Sequence, residues 1–344
     1  MSRDGSSEAK TKEVNDIFLI GAGFTRAVFQ DAPLNADLVP FVVRDNPKTL
    51  LTKYRIRYHT EDIEILLTRM DLEMEELQSE QLRRDRETIK QDLAKYFERF
   101  RFRAQILENN RWLEDFAKNV FQPNDAIITT NYDCFLEGLL DLYKIWHPHE
   151  GYVNVYDPRI PTNSPETILK NPKGIKFYKI HGSENFSEFK VFDNGETGQT
   201  ALGFNINKSV FPESGKNSHI RWLEINKYII SPSFVKKHHH NIERIMVESV
   251  HIAPKAKKMI IIGSGLRPED SFLWLLLSSF IEPCVPNRPK KKLIIVDPKA
   301  EEIKSKTVKH YIWDLDSLLD IKPLSECLEC VVEDLIKLSE NRTS

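Results

Sequence analysis

Polar side chains that could carry out chemistry follow two apolar runs near the middle of the chain. The run Ile127–Thr129 leads into Asn131 and Asp133. The run Phe177–Ile180 leads into His181. Asparagine offers a donor and an acceptor on one short arm, and histidine can transfer protons near neutral pH. Because ligands of α/β sheets bind outside the carboxyl ends of the strands, these three side chains are candidates for a reaction at a bound ligand. A histidine at a strand end can also be purely structural.

Three further apolar runs end in small or acidic residues, where a backbone or a carboxylate could meet a ligand. They are Ile17–Ile20 before Gly21-Ala22-Gly23-Phe24-Thr25, Met259–Ile262 before Gly263-Ser264-Gly265, and Leu293–Val296 before Asp297. Glycines allow close approach to a phosphate, and an acidic residue after a strand can bind ribose hydroxyls. The strand ends together suit a ribonucleotide with a diphosphate. The first turn alone is a weak signal and is also typical of a plain strand–turn–helix, because Arg26 stands where the GxGxxG fingerprint needs glycine.

The apolar runs alternate with segments of helical spacing. This alternation predicts right-handed crossovers and an α/β fold with a Rossmann-like, doubly wound parallel sheet. We expect a disordered tail over residues 1–14 and a single domain over residues 15–344. Helical periodicity predicts a helical insertion over residues 60–120. A stretch rich in glycine, asparagine and serine predicts a loop or β excursion over residues 184–222.

Charge and hydropathy exclude several classes of protein. The 344 residues carry a net charge of −2, so direct binding to nucleic acid is not expected. No window contains the ~18 apolar residues that span a bilayer, and the N-terminal residues are polar. These features indicate a cytoplasmic protein.

The cysteines and histidines do not have the spacing of a metal site. Cys327 and Cys330 form a CxxC within an apparent helical pattern, which predicts two core cysteines, and no second pair exists to complete a zinc site. The run His238-His239-His240 places neighbouring side chains in different directions on a helix. We therefore expect no metal.

The order of these motifs resembles the sirtuin superfamily, and more closely the sirtuin-like NADase domains of bacterial antiphage defence systems. The residues that carry this resemblance are Gly21-Ala22-Gly23-Phe24-Thr25, Thr129-Thr130-Asn131-Tyr132-Asp133, Lys179-Ile180-His181-Gly182-Ser183, Gly263-Ser264-Gly265 and Ile295-Val296-Asp297. The segment Ile230–Phe234 resembles the proline loop of those domains. The resemblance spans Ile17 to Pro298 in short islands, of which the Thr129–Asp133 and Lys179–Ser183 segments are the specific part.

The resemblance implies NAD+ as the substrate and assigns roles to the strand ends. Asn131 would hold the water and the nicotinamide ribose, and His181 would be the general base. The remaining residues expected to contact NAD+ or to support those that do are Gly21, Ala22, Gly23, Phe24, Thr25, Asp133, Gly263, Ser264 and Asp297. Asp297 would also repel a 2′-phosphate, which favours NAD+ over NADP+.

One departure from the family affects the expected reaction. Deacetylase sirtuins carry a zinc module of two CxxC pairs between the His-Gly strand and the late strands, whereas the interval from Gly182 to Met259 contains no cysteine here. Hydrolysis of NAD+ to nicotinamide and ADP-ribose is therefore expected ahead of protein deacylation. Two alternatives stay open: a non-catalytic sensor that binds NAD+ or ADP-ribose, and an NAD-dependent protein deacylase.

The resemblance also implies a biological setting. It suggests an antiphage effector that depletes NAD+ when triggered. It further implies a homo-oligomer and, as an expected partner, a companion such as a HerA-type ATPase or an Argonaute-like protein.

Overall fold

The computed structural model describes residues 14–156, 174–193, 196–204, 220–230, 232–233, 238–267, 270–284, 290–309, 312 and 315–340. Of the expected tail, residues 1–13 lie outside this part of the chain, whereas Val14 is buried in the main hydrophobic cluster. The division into one domain with two insertions remains a prediction.

A parallel six-stranded sheet forms the centre, with the strand order β3-β2-β1-β7-β8-β9. The strands of the chain are β1 (Asp16–Ile20), β2 (Ala126–Thr129), β3 (Lys176–Lys179), β4 (Gly182–Asp193), β5 (Glu196–Phe204), β6 (Ile220–Ile229), β7 (Lys258–Ile262), β8 (Lys291–Val296) and β9 (Leu319–Leu324). The central strands are nearly continuous apolar runs, as expected for a sheet covered on both faces. The predicted fold class and the five predicted strands are confirmed.

The register of the sheet brings the predicted strand ends to one level. Ile20 pairs with Thr129 on one side and with Ile262 on the other, and Thr129 pairs with Lys179. Ile262 in turn pairs with Val296. The residues that follow these strands therefore emerge along the same edge of the sheet.

Helices surround this sheet and extend it on one side. They are α1 (Ala22–Val28), α2 (Leu38–Asp45), α3 (Leu50–Tyr58), α4 (Ile63–Leu77), α5 (Glu80–Phe97), α6 (Ile106–Asn109), α7 (Trp112–Asp115), α8 (Phe135–Leu142), α9 (Pro148–Gly151), α10 (His240–Ile252), α11 (Ser271–Ile281), α12 (Ala300–Glu302), α13 (Leu315–Leu318) and α14 (Leu328–Glu340). Helices α2 to α5 build a second hydrophobic cluster, which Tyr132 and Ile229 join from the sheet side. This helical region begins at Leu38, before the expected boundary at residue 60.

Strands β4, β5 and β6 form a separate antiparallel sheet in the order β5-β4-β6. Strand β4 begins directly after His181, and β6 ends at Ile229 beside it, since Gly182 pairs with Ile229. The described part of the region expected to be a loop or β excursion is therefore mostly strand. The first residue of β4 and the last residue of β6 therefore pair with each other next to the end of β3.

The C-terminal region differs from its sequence pattern. The sequence pattern predicts closing helices over Leu318–Leu338, but residues 319–324 form the edge strand β9. Pro323 is tolerated there because an edge strand has one unpaired side. The segment Tyr311–Trp313, whose sequence predicts a last short strand, falls mostly outside the described residues.

The prediction of two core cysteines is wrong. Helix α14 begins only at Leu328 and buries Leu328, Val331 and Val332. Cys327 and Cys330 fall off this apolar stripe, so both are exposed, and they form a disulfide with each other.

Candidate functional site

A cavity of about 420 Å³ lies at the edge of the sheet where the predicted strand ends emerge. On the sheet side its described lining includes Gly21, Ala22, Thr25, Thr130, Asn131, Asp133, His181, Gly263 and Ser264. On the opposite side the helical region and the segments that flank it contribute Leu34, Asp62, Glu64, Phe97 and Phe100. Segments far apart in the sequence thus enclose one space.

The two glycine-rich turns pack directly against each other. A Cβ atom on Gly21 would lie 2.5 Å from the carbonyl oxygen of Gly263, and one on Gly263 would lie 2.4 Å from the amide nitrogen of Phe24. Gly263 also has a φ of +60°, which favours glycine. The amide of Gly23 donates to the carbonyl of Gly263 at 2.8 Å. Close contact between the turns therefore explains these glycines even without a ligand.

Asn131 is held by hydrogen bonds that determine the orientation of its amide group. Its Nδ2 donates to the carbonyl oxygen of Gly21 at 3.1 Å and to Oγ1 of Thr25 at 3.2 Å. Because a carbonyl oxygen can only accept, Oδ1 must face away from Gly21. Oδ1 is buried and has no hydrogen-bond partner among the residues that the structure describes. An acceptor left in this state costs about 1–3 kcal/mol, so it is suited to a ligand in the adjacent cavity.

Thr25 links Asn131 to Asp133. Its Oγ1 accepts from Asn131 and donates to Oδ2 of Asp133 at 2.9 Å, while Oδ1 of Asp133 accepts from the amide of Phe135 at 3.1 Å. Asp133 therefore orients the asparagine through the threonine hydroxyl. This geometry agrees with a supporting role for Asp133, which remains a prediction.

A buried ion pair lies beneath this hydrogen-bonded chain. Nζ of Lys179 donates to Oε1 of Glu137 at 2.6 Å and also to the carbonyl oxygen of Asp133. Burial opposes the charge of Lys179, but the carboxylates of Glu137 and Asp133 hold its pKa above the usual value. Burial also raises the pKa of Asp133 to about 6, although Lys179 acts in the opposite direction.

The raised pKa of Asp133 predicts a specific dependence of stability on pH. Asp133 binds its proton more tightly in the folded state, so its contribution to the free energy of unfolding is full below pH ~4 and is lost as the pH rises through about 6. Relative to Asp133→Asn, which has no carboxylate, the wild-type protein should lose up to roughly 3 kcal/mol between pH 4 and pH 7. Urea unfolding of both proteins across this range measures the difference. A difference that does not change with pH would contradict the burial of an ionisable Asp133.

His181 lies between a tyrosine ring and a carboxylate. Its imidazole stacks on Tyr132 with ring centroids 6.2 Å apart, and Nε2 lies 3.2 Å from Oδ2 of Asp270. The carbonyl oxygen of His181 accepts from the amide of Ile230 at 2.8 Å, and the hydroxyl of Tyr132 donates to the carbonyl of Ile230 at 2.6 Å. The end of β3 is therefore fixed against the end of β6.

Three of the residues expected at the site are absent from the described lining of the cavity: Gly23, Phe24 and Asp297. The ring of Phe24 is buried in the core, where it packs against Phe116 and Phe135. Asp297 follows β8, and its Oδ1 accepts from the amide of Lys299 at 2.8 Å. The preference for NAD+ over NADP+, which depends on Asp297, thus has no support from the cavity.

The structure adds residues that the motifs did not indicate. Arg267, from the loop after β7, is the one arginine or lysine in the described lining, and its Nη2 lies 2.9 Å from Oε2 of Glu64. The side-chain amide of Asn35 donates to the other oxygen of Glu64 at 3.1 Å. No periodicity in the sequence connects α4 with the loop after β7, so this contact could be found only in the folded protein.

Helix α4 also holds the loop that follows β6. The hydroxyl of Ser233 donates to Oδ2 of Asp71 at 2.7 Å, and the guanidinium of Arg86 makes two hydrogen bonds to the same carboxylate. The neighbouring Pro232 lines the cavity. Two loops of the cavity are therefore attached to one helix of the helical region.

The described parts of the chain contain neither a cluster of metal ligands nor a helix that could span a membrane. No group of three or more His, Cys, Asp or Glu there could hold a metal ion. His239, from the histidine run, instead accepts a hydrogen bond at Nδ1 from the amide of Asn241 at the start of α10. Within the described residues every helix is too short or too polar to cross a bilayer.

Comparison with known proteins gives matches only among solved structures, since no family model and no curated protein matches the chain. A mutant Sir2 homologue in complex with ADP-ribose is 13% identical over 96% of this chain and 94% of that chain, with a TM-score of 0.41. A Sir2 homologue in complex with NAD is 11% identical over 97% and 92%, with a TM-score of 0.39. Sir2Tm bound to a propionylated peptide is 10% identical over 96% and 94%, with a TM-score of 0.36. These values are too low to transfer an activity or site residues to this chain.

Proposed function

We propose that this protein is an NAD+ glycohydrolase that cleaves NAD+ to nicotinamide and ADP-ribose. The observation that carries the proposal is the side chain of Asn131, whose buried Oδ1 is without a described partner at a cavity that His181 also lines. The sirtuin-like order of the motifs, with Asn131 and His181 intact, supports the same assignment.

The chemistry follows from the groups around the cavity. The bond between nicotinamide and C1′ of the ribose breaks, its electron pair leaves with nicotinamide, and positive charge develops on the ribose. Asn131 would orient a water molecule for attack on C1′, and His181 would take the proton that this water loses. A positioned general base contributes about 10²–10⁴-fold to the rate of such a step. The fixed dipole of the asparagine stabilises charge without reorganising during the reaction.

The function is tested by measuring both products of NAD+ with the purified protein. We expect nicotinamide and ADP-ribose in equal amounts, without an added peptide. The assay is run with the protein alone and again with a cell extract that contains the products of neighbouring genes. Release that requires an acylated peptide would instead indicate a deacylase. Saturable ADP-ribose binding without product under both conditions would indicate a sensor.

We further propose that the protein acts in antiphage defence, in which a trigger activates the enzyme and the cell is depleted of NAD+. The support for this setting, for a homo-oligomer and for a companion ATPase of HerA type is the motif resemblance. Dependence of NAD+ cleavage on the extract would show that another component acts as the trigger.

A further inference from the structure

The catalytic candidate His181 lines the cavity, and one edge of its ring is covered by a carboxylate. Nε2 is buried and lies 3.2 Å from Oδ2 of Asp270, and each of the two side chains is 13% exposed. Asp270 lines the same cavity and covers Nε2, so we take the edge that carries Nδ1 as the one available to a ligand. The stacked ring of Tyr132 limits rotation of the imidazole.

Asp270 is the N-cap residue of helix α11. It immediately precedes α11, and aspartate there commonly accepts hydrogen bonds from the first amides of a helix. The carboxylate of Asp270 accepts none from the described first turn of α11. Oδ2 faces His181 instead, while the backbone amide of Asp270 donates to the carbonyl of Arg267 at 3.1 Å.

The contact determines which nitrogen of a neutral His181 carries the proton. An ionised carboxylate can only accept hydrogen bonds. If Nε2 held a lone pair, it would repel Oδ2, so the attractive arrangement has the hydrogen on Nε2 and the lone pair on Nδ1. The 3.2 Å contact between Nε2 and Oδ2 is not aligned as a hydrogen bond. Catalytic hydrogen bonds of this kind often tighten in the complex with substrate.

We propose that Asp270 is a positioning residue that keeps the proton of His181 on Nε2, so that Nδ1 is the base directed at the ligand. This inference rests on the proposed function for its catalytic meaning, but the tautomer itself does not. During hydrolysis the proton lost by the attacking water would move to Nδ1. The resulting imidazolium would donate from Nε2 to Asp270, which stabilises its charge.

Nitrogen-15 NMR of histidine-labelled protein, free of NAD+, tests the tautomer. The signals of His181 are assigned by their loss in His181→Gln, since the chain contains ten histidines. At a pH where the ring is neutral, we expect the proton on Nε2 in the wild type. In Asp270→Asn the amide can donate to the ring nitrogen, so the proton should shift towards Nδ1. A proton on Nδ1 in the wild type, or the same tautomer in both proteins, would overturn the proposal.

The matched control is Asp141→Asn. Asp141 forms an exposed pair with His147, with Oδ1 of the aspartate 3.8 Å from Nε2 of the histidine. Removing this carboxylate should leave the tautomer of His181 unchanged. A change of tautomer in the control would mean that the effect at Asp270 is not local.

Kinetics then separate this proposal from the proposed function. In Asp270→Asn the kcat of NAD+ cleavage should fall by roughly 10²-fold with little change in KM. The reason is that the lone pair of His181 would no longer be directed at the ligand, whereas the residues that bind the substrate would be unchanged. Unchanged kcat in this variant beside an active wild type would refute the role of Asp270 and leave the function standing. A wild type that shows the expected tautomer but cleaves no NAD+ either alone or with the cell extract would refute the function and leave the tautomer assignment standing.

Discussion

Asn131→Ala should lose NAD+ cleavage by about 10²–10³-fold, the range found when one preorganised hydrogen-bonding group is removed from an active site. The reason is that the amide orientation is already determined by Gly21 and Thr25, so Oδ1 is available without any rearrangement. Alanine cannot replace this acceptor. Release of nicotinamide under single-turnover and steady-state conditions measures the loss.

The same substitution should leave the fold intact. Asn131 contributes two side-chain hydrogen bonds, each worth about 0.5–1.5 kcal/mol, so the variant should remain folded at room temperature. The control is Asn109→Ala, because Asn109 is exposed at the end of α6 and lies away from the cavity lining. It should retain full activity. Full activity in folded Asn131→Ala would remove this residue from the mechanism.

His181→Ala should reduce cleavage by a similar factor, but the two losses should not multiply in the double variant. Substitutions of residues that act on the same step have strongly non-additive effects on the rate, because the first substitution already removes most of the catalysis that both residues provide. The shared water molecule is the reason to expect this here. Additive losses would indicate that Asn131 and His181 serve separate steps.

The second large effect concerns stability rather than activity. Glu137→Leu should lower the free energy of unfolding by about 3–5 kcal/mol, because Lys179 would remain buried without its carboxylate. Lys179 has 0% side-chain exposure, so water cannot replace the lost partner. The total stability of a domain is about 5–15 kcal/mol, so this loss is a large part of it. Urea unfolding at constant pH gives the value.

Two further variants decide whether the charge is the cause. Adding Lys179→Met to Glu137→Leu should recover most of the stability, because the unpaired charge is then removed. Glu114→Gln removes a carboxylate from the exposed pair with Lys118 and should change the free energy of unfolding by less than about 1 kcal/mol. If Glu137→Leu cost no more than this surface variant, the buried pair would have no special role in stability.

The ends of the central strands could be predicted from the chain alone. A strand buried on both faces must be apolar throughout, so its end is marked by the first polar or small residue, as at Thr129 and Ile262. Parallel crossovers then bring such ends to one edge. This reasoning placed Asn131 and His181 beside each other, although Lys179–His181 and Thr129–Asn131 are distant in the sequence.

The residues that line the cavity could be predicted only in part. Phe24 lies within a motif segment, yet its side chain turns into the core, because a helix that packs on a sheet buries one face regardless of the motif it carries. Cys327 and Cys330 follow a helical spacing, but Cys327 precedes the helix and Cys330 lies off its buried stripe. Local patterns therefore indicate which segments meet, but not the direction of each side chain.

What the chain determined by itself is the α/β sheet and the strand ends that could do chemistry, because strand period and burial are local properties of the sequence. Only the tertiary structure decided which side chains complete the cavity. Glu64 meets Arg267, and Asp270 meets His181, through loops and helices whose relative placement depends on the packing of the helical region against the sheet. Such contacts cannot be recognised from a sequence pattern, because each involves a single residue on either side and no repeated spacing.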